Sequence, residues 1–151
     1  MRSLLALVAF LALVALAASF GALFLPGEWY ESLRKPPLNP PNWVFGPVWT
    51  LLYLGIAVAG WRVWRARPEV STALGLWAAQ LLLNALWSYL FFGLERPGLA
   101  LVDITVLLVL ILATTVVFFR IDRPAGALLV PYAVWVAFAT YLNAGLWVLN
   151  R

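Results

Sequence analysis

Apolar residues are grouped along the chain in five long runs separated by short polar segments. The runs cover residues of about 3–25, 43–61, 70–94, 99–119 and 125–149. Because about 20 apolar residues cross a bilayer as a helix, each run is long enough to span one. The pattern therefore predicts an all-α integral membrane bundle of five transmembrane helices, forming one domain over 1–151.

The connections between the runs differ in length and composition. Residues 26–42 contain five prolines, which prevent a continuous helix and predict a proline-rich loop outside the membrane. The other connections are shorter than about ten residues, so consecutive helices are expected to be antiparallel neighbours. Small residues near position 17 leave a cleavable signal peptide as an alternative for the first run, but its length favours a membrane span.

The composition excludes several classes of protein. Hydrophobic residues make up 65% of the chain and charged residues 11%, too few to cover a small water-soluble domain. The chain has no cysteine and no histidine, and its only methionine is Met1. Disulfides, thiolate nucleophiles, zinc sites and histidine-ligated haem iron are therefore excluded, and we predict no metal site.

Basic residues lie at the ends of the runs, a distribution that favours membrane lipid over nucleic acid as a partner. Six of them fall on the side of the amino terminus and four on the other side, which favours an inward amino terminus. The first group is Arg2, Arg62, Arg65, Arg67, Arg120 and Arg123, and the second is Arg34, Lys35, Arg96 and Arg151.

Three of the runs each place aromatic, amide and small residues on one helical face. These faces are Gly46, Trp49, Thr50, Tyr53 and Ala57 in the second run, Gln80, Asn84, Trp87, Ser88 and Phe91 in the third, and Pro131, Trp135, Phe138, Ala139 and Leu142, with Asn143 at the edge, in the fifth. They could line an apolar cavity that has a few orienting polar groups. The alternative is a dry core in which the amides join helices by hydrogen bonds.

For an intramembrane acidic residue and for the remaining tryptophans, the sequence predicts structural or interfacial positions. Asp103 lies about one turn inside the fourth run, where it could reach water, Arg96 or a hydroxyl group of a neighbouring helix, and a structural role is favoured. Trp77 is expected to face lipid, whereas Trp29 and Tyr30 could fold over the mouth of the bundle. Trp61, Trp64 and Trp147 are expected to lie at the membrane interface. No catalytic constellation is recognisable, because the serines have no histidine to activate them.

Four segments resemble the TspO/MBR family. WYESLRKPPLNPPNWVFGPVWTLLY, from Trp29 to Tyr53, is similar to the family's first loop and second helix. AAQLLLNALWSYLFFG, from Ala78 to Gly93, resembles the third helix. LALVDITV, from Leu99 to Val106, and PYAVWVAFATYLN, from Pro131 to Asn143, resemble the fourth and fifth.

The resemblance implies a five-helix bundle, often dimeric, with a cavity beneath the first loop that binds porphyrins and synthetic aromatic ligands. Matched by motif, Trp49 and Trp135 correspond to tryptophans implicated in ligand contact and in light-dependent porphyrin degradation. Asn84 corresponds to a polar ligand contact and Ala139 to the small residue at the cavity. The chain departs from some relatives at Leu38, where they carry tryptophan, and it lacks the animal cholesterol motif in the fifth helix.

The sequence thus predicts a membrane-embedded protein that binds porphyrin, tetrapyrrole or a related hydrophobic small molecule and serves tetrapyrrole regulation or stress signalling. The predicted ligand-binding residues are Trp49, Tyr53, Gln80, Asn84, Trp87, Phe91, Trp135, Phe138, Ala139 and Leu142. Arg34 and Lys35 are predicted to lie in a loop lid and meet the propionates of the ligand. No cofactor is expected to be required, and we expect a homodimer in a bacterial membrane.

Two alternatives to simple binding remain. One is an enzyme that degrades porphyrin in light, with Trp49 and Trp135 as electron donors. The other is a transporter of tetrapyrroles or lipophiles, although no internal repeat or coupling-ion site supports active transport.

Overall fold

The computed structural model describes residues 1–69 and 71–151, a part of the chain in which every regular element is helical. Val70, which the sequence places in the third run, lies outside the described residues. The helices are α1 (Arg2–Gly21), α2 (Glu28–Ser32), α3 (Phe45–Ala66), α4 (Ser71–Ser88), α5 (Pro97–Ile121) and α6 (Arg123–Asn150). A 3-10 turn at Asn42–Val44 precedes α3, and a π-helical turn at Tyr89–Gly93 extends α4.

Within the described residues, five helical segments are long and apolar enough to cross a membrane. They are Arg2–Gly21, Asn42–Ala66, Thr72–Gly93, Pro97–Ile121 and Arg123–Asn150. The all-α fold with five membrane-spanning helices is therefore confirmed. The remaining helix, α2, is one turn long and lies in the proline-rich loop.

Two helix ends differ from the predicted spans. The first helix stops at Gly21, before the predicted end at 25, and the chain continues without regular structure towards Pro26. The second continues beyond 61 to Ala66, because the long side chains of Arg62 and Arg65 can reach water from the last helical turns.

The spanning helices form a closed ring in the order α3, α1, α4, α5, α6, with α6 packing back on α3. Consecutive helices are neighbours where α4 meets α5 and where α5 meets α6, as predicted. The prediction is wrong for α3 and α4, which contact each other much less than each contacts α1. The reason is that α1 inserts between them for much of their length.

Trp77 joins the three helices at this position, and the prediction that it faces lipid is wrong. Its side chain is only 3% exposed, and its indole Nε1 donates a hydrogen bond of 2.9 Å to the carbonyl oxygen of Ile56 on α3. The ring of Phe10 on α1 packs edge-on against it at 5.1 Å. Gly60 leaves the space for the indole, since a Cβ atom there would lie 2.8 Å from it.

Candidate ligand-binding cavity

A cavity of about 560 Å³ lies between the spanning helices, directly beneath the proline-rich loop. This volume falls within the range of small-molecule sites in proteins. All five spanning helices and the loop contribute to its lining. Eight of the predicted ligand-binding residues line it, namely Trp49, Tyr53, Asn84, Trp87, Phe91, Trp135, Ala139 and Leu142. The inward-facing arrangement, rather than a dry core, is therefore the one observed.

Two predicted residues do not line the cavity. Gln80 is 1% exposed and lies one helical turn below Asn84, where its side-chain amide makes one hydrogen bond to the carbonyl of Trp77 and one to the hydroxyl of Tyr132. Phe138 lies beside the cavity wall on α6, between Trp135 at 5.7 Å and Tyr141 at 6.1 Å between ring centroids. Gln80 lies on the predicted face but deeper in the bundle than the cavity, whereas Phe138 lies to the side of the cavity wall.

The cavity walls are formed largely by aromatic rings on α3 and α6. Trp49 packs against Tyr53 at 5.3 Å and edge-on against Tyr132 at 6.3 Å. Trp135 meets the ring of Phe45 at 5.9 Å. Because α3 and α6 are adjacent in the ring of helices, the two tryptophans lie on neighbouring walls of one space.

The wall formed by α1 consists mostly of small residues. Ala18, Gly21 and Ala22 line the cavity there, so the backbone of α1 approaches the cavity closely. The sequence did not identify them because α1 is apolar around its whole circumference and no face stands out. Alanine and glycine at four-residue spacing were the available signal.

A chain of hydrogen bonds crosses the bundle below the cavity. It starts at the backbone carbonyl of Trp77, which can only accept, so Gln80 must present Nε2 to it, at 2.8 Å. Gln80 Oε1 then accepts from the hydroxyl of Tyr132 at 2.7 Å, and that hydroxyl accepts from Asn84 Nδ2, also at 2.7 Å. Asn84 Oδ1 finally accepts from Tyr53 at 3.1 Å. One carbonyl thereby fixes the direction of every bond up to the cavity floor.

Tyr132 is the central member of this chain, and the sequence reasoning missed it. It is one of the largest fully buried side chains of the protein. Its position one residue after Pro131, on the same helix as Trp135, was visible in the sequence. Nothing in the helical pattern indicated that its hydroxyl would bridge the two amides of α4.

A third side-chain amide, that of Asn143, lies at the edge of the cavity next to the loop. Its Oδ1 accepts a 2.9 Å hydrogen bond from Trp87 Nε1, and its Nδ2 donates to the carbonyl of Pro97 at 2.9 Å. Asn143 thus connects α6 to the end of α4 and to the start of α5. In the part of the chain that the structure describes, the buried Nε1 of Trp135 and Oδ1 of Asn39 have no hydrogen-bond partner, although both residues line the cavity.

The proline-rich loop forms the roof of the cavity and is attached first to the π-helical turn. This turn directs Phe91 and Phe92 towards the loop, where Phe91 packs against Trp29 at 5.6 Å and Phe92 against Tyr30 at 5.6 Å. π-helical turns often occur at functional sites. Of the two aromatic residues expected near the mouth, Tyr30 lines the cavity, together with Asn39 and Asn42, which the sequence reasoning did not select.

The loop is attached a second time to the end of α6. The hydroxyl of Tyr141 donates to the carbonyl of Pro37 at 2.7 Å. Asn150 accepts from the backbone N–H of Arg34 at 2.9 Å and donates to its carbonyl at 2.8 Å. Gly145 permits this contact, because a Cβ atom there would lie 2.6 Å from the ring of Pro36. The roof is therefore held at two separate places.

Arg34 and Lys35 belong to the roof, but their side chains do not line the cavity. Lys35 Nζ donates to the carbonyls of Tyr30 and Leu33 at 3.0 and 3.1 Å and lies 4.8 Å from the centre of the Tyr30 ring. In this arrangement Lys35 stabilises the short helix α2. Its contact with an acidic ligand group remains a prediction that requires the side chain to turn.

Asp103 lies in α5 and is separate from the cavity lining. It is 7% exposed, and its Oδ2 atom has no hydrogen-bond partner among the described residues. The expected contact with Arg96 or with a hydroxyl group is not observed in that part of the chain. Asp103 therefore takes no part in the hydrogen-bond chain below the cavity.

Comparison with known proteins places this architecture in a family. The model of the TspO/MBR family matches residues 7–148. The chain belongs to the TspO/MBR family. It is 45% identical over 133 residues to the tryptophan-rich protein TspO of Chlorobaculum tepidum, covering 83% of this chain and 82% of that protein.

Other TspO/MBR relatives come from a further bacterium and from mammals. The chain is 46% identical over 135 residues to the tryptophan-rich sensory protein of Cereibacter sphaeroides, covering 89% of this chain and 84% of that protein. It is 40% identical over 134 residues to the human translocator protein, covering 84% of this chain and 79% of that protein. The protein is thus an integral multi-pass membrane protein of the TspO/MBR family.

Proposed function

We propose that this TspO/MBR protein binds a porphyrin or a related flat hydrophobic molecule in the cavity under the loop. The observation that carries this proposal is the placement of Trp49 and Trp135 on adjacent walls of one 560 Å³ space. Aromatic rings stack favourably against a flat conjugated ligand. The amide of Asn84 and the hydroxyl of Tyr53 offer the few polar contacts that would orient it.

A metal-free porphyrin fits these residues better than an axially ligated haem. The chain carries no histidine and no cysteine, and its only methionine is Met1. Tyrosine can also bind haem iron, but the hydroxyl of Tyr53 in the cavity wall donates a hydrogen bond to Asn84. Met1 is almost fully exposed and far from the loop end of the bundle. Binding would therefore depend on stacking and hydrogen bonds, with the acidic groups of the ligand directed to the roof.

Tryptophan fluorescence of the purified protein tests this proposal. Protoporphyrin should quench it with micromolar or stronger affinity, and Trp135→Phe should weaken the binding. Trp147→Phe is the matched control, because Trp147 lies at the end of α6 beside Arg151 and outside the cavity. Equal titration curves for both variants and the unmodified protein would overturn the assignment.

A second candidate function is light-dependent degradation of the bound porphyrin. It is favoured by the same two indoles, which could donate electrons to an excited ring in the presence of oxygen. Illumination with protoporphyrin and oxygen should then give a new product spectrum that is lost in Trp49→Phe and Trp135→Phe. If porphyrin binds but no new product forms in light, the degradation function is wrong and only the binding function is supported.

The proposal also covers the biological role of the protein, its membrane, its oligomeric state and its orientation. The name of the Cereibacter sphaeroides relative, a sensory protein, supports a regulatory outcome of binding rather than bulk disposal. The proposal includes a bacterial membrane and a homodimer. It also includes an inward amino terminus, because six basic residues lie on that side against four on the other. Protease protection of tagged termini in inverted vesicles tests the orientation, and cross-linking in the membrane tests the dimer.

A further inference from the structure

The membrane face opposite the loop carries most of the positive charge of the protein. Six arginines lie on that face with two acidic residues, Glu69 and Asp122. The loop face has four basic residues and three acidic ones, Glu28, Glu31 and Glu95. Groups of basic residues next to membrane spans attract anionic lipid headgroups. This excess of positive charge does not by itself locate a binding site. The position of a site has to be argued from the geometry of this face.

A groove of about 250 Å³ lies on this face, where the end of α3 meets the junction of α5 and α6. It is lined by Arg62, Arg65, Ala66 and Asp122. This groove is at the opposite end of the bundle from the aromatic cavity and shares no residue with it. Its small volume and charged lining suit a compact anionic group and exclude a large planar ring.

Arg62 and Asp122 form a rigid side of the groove. Arg62 donates from Nε to Asp122 Oδ2 at 2.7 Å and from Nη2 to Oδ1 at 3.3 Å. The same carboxylate caps α6 by accepting from the backbone N–H of Ala125 at 3.0 Å. Both carboxylate oxygens therefore accept hydrogen bonds, while three of the five guanidinium N–H groups of Arg62 have no partner among the residues that the structure describes.

Arg65 forms the other side and is held in place by an indole. Its guanidinium lies 4.7 Å from the centre of the Trp61 ring. Trp61 is fixed in turn, because its Nε1 donates a 2.7 Å hydrogen bond to the carbonyl of Ser3 on α1. A guanidinium stacked on a fixed ring loses less freedom when it binds an anion. Arg65 is exposed and contributes a charge that the Arg62–Asp122 pair does not neutralise.

We propose that this groove binds the phosphate of an anionic membrane phospholipid. Arg65 and the available edge of Arg62 would donate to the phosphate oxygens, a pairing that the planar guanidinium favours. Trp61 and Trp64 lie in the last turns of α3, as expected for residues at headgroup depth, so the lipid chains would extend along the bundle from there. The bound lipid would join the end of α3 to the junction of α5 and α6.

Thermal unfolding of the full-length protein in lipid nanodiscs tests the proposal. Replacing part of the phosphatidylcholine by phosphatidylglycerol should raise the melting temperature, because a ligand of the folded state stabilises it. Arg65→Gln should lose more than half of this increase, and Arg65→Lys should lose part of it. Arg96→Gln, which removes an exposed charge from the loop face, is the matched control and should keep the full increase.

The other outcomes have defined meanings. Equal losses in Arg65→Gln and Arg96→Gln would show a general charge effect and overturn the site. An unchanged increase in Arg65→Gln would also overturn it. If inorganic phosphate added to phosphatidylcholine nanodiscs gives the same increase, the groove binds a soluble anion and the lipid assignment is wrong. If the glutamine variant does not fold, Arg65→Lys decides, and a full increase in it would contradict the role of the stacked guanidinium.

Discussion

Gly145→Ala should loosen the roof of the cavity without touching the ligand. The added Cβ atom would lie 2.6 Å from Cβ and 2.8 Å from Cγ of Pro36, whereas ordinary contacts begin near 3.4 Å. The proline ring is rigid and cannot rotate away, so the loop has to move as a unit. That movement strains the nearby hydrogen bond between Tyr141 and the carbonyl of Pro37.

Two opposing effects set the magnitude. Overpacking of this kind costs about 1–3 kcal/mol, while alanine in place of glycine within a helix gains roughly 1 kcal/mol. The net destabilisation is therefore about 0–2 kcal/mol. If the loop bears about 1 kcal/mol of it, a ligand held under the roof should dissociate about fivefold faster.

The assay is the rate at which bound protoporphyrin is displaced, followed by recovery of tryptophan fluorescence. Gly75→Ala is the matched control, since a Cβ atom at Gly75 meets no atom of the described structure within 4 Å. The control should release the ligand at the unmodified rate. A Gly145→Ala protein that releases it no faster than the control would refute the idea that the roof limits release.

Three further predictions concern the floor, the roof and the opposite face. Tyr132→Phe removes the hydrogen-bond partner of two buried amide atoms, Gln80 Oε1 and Asn84 Nδ2, and should lower the free energy of unfolding by about 2–4 kcal/mol. Thermal melting measures this loss, with Tyr141→Phe as the comparison variant. Phe91→Ala removes a buried ring beneath the loop, so the loop amides should exchange hydrogen faster while those of α5 stay protected. The Arg62 guanidinium holds the pKa of Asp122 below its usual value, so this ion pair should stabilise the fold above about pH 4 and lose its effect as the pH falls further. A melting temperature with the same acid dependence in Asp122→Asn would contradict that assignment.

The five spans could be predicted because the cost of a polar backbone in lipid leaves a strong pattern of long apolar runs. The inward faces of α3, α4 and α6 could be predicted for a related reason, since amides such as Asn84 need partners inside the bundle. The order of the helices could not, because α1 is apolar all round and its sequence does not show that it separates α3 from α4. Trp77 could not be placed either, because its position depends on the space that Gly60 leaves on another helix.

The roof was less predictable than the walls. Its position depends on contacts between residues far apart in sequence, such as Asn150 with Arg34. It also depends on a π-helical turn that no residue pattern predicts. The resemblance to relatives indicated that the loop covers the cavity. It did not indicate that Lys35 would be engaged with the carbonyls of its own loop instead of facing the ligand.

The double hydrogen bond between Asn150 and Arg34 has a practical consequence for work on this protein. These two bonds attach the covering loop to the last turn of α6, although the two residues are 116 positions apart. A deletion that removes Asn150, or a bulky fusion placed beside it, would disturb the covering loop while leaving the cavity-lining side chains of the five spanning helices in place. An affinity measured with such a fusion would then reflect the altered position of the loop as well as the contacts of the ligand with the cavity.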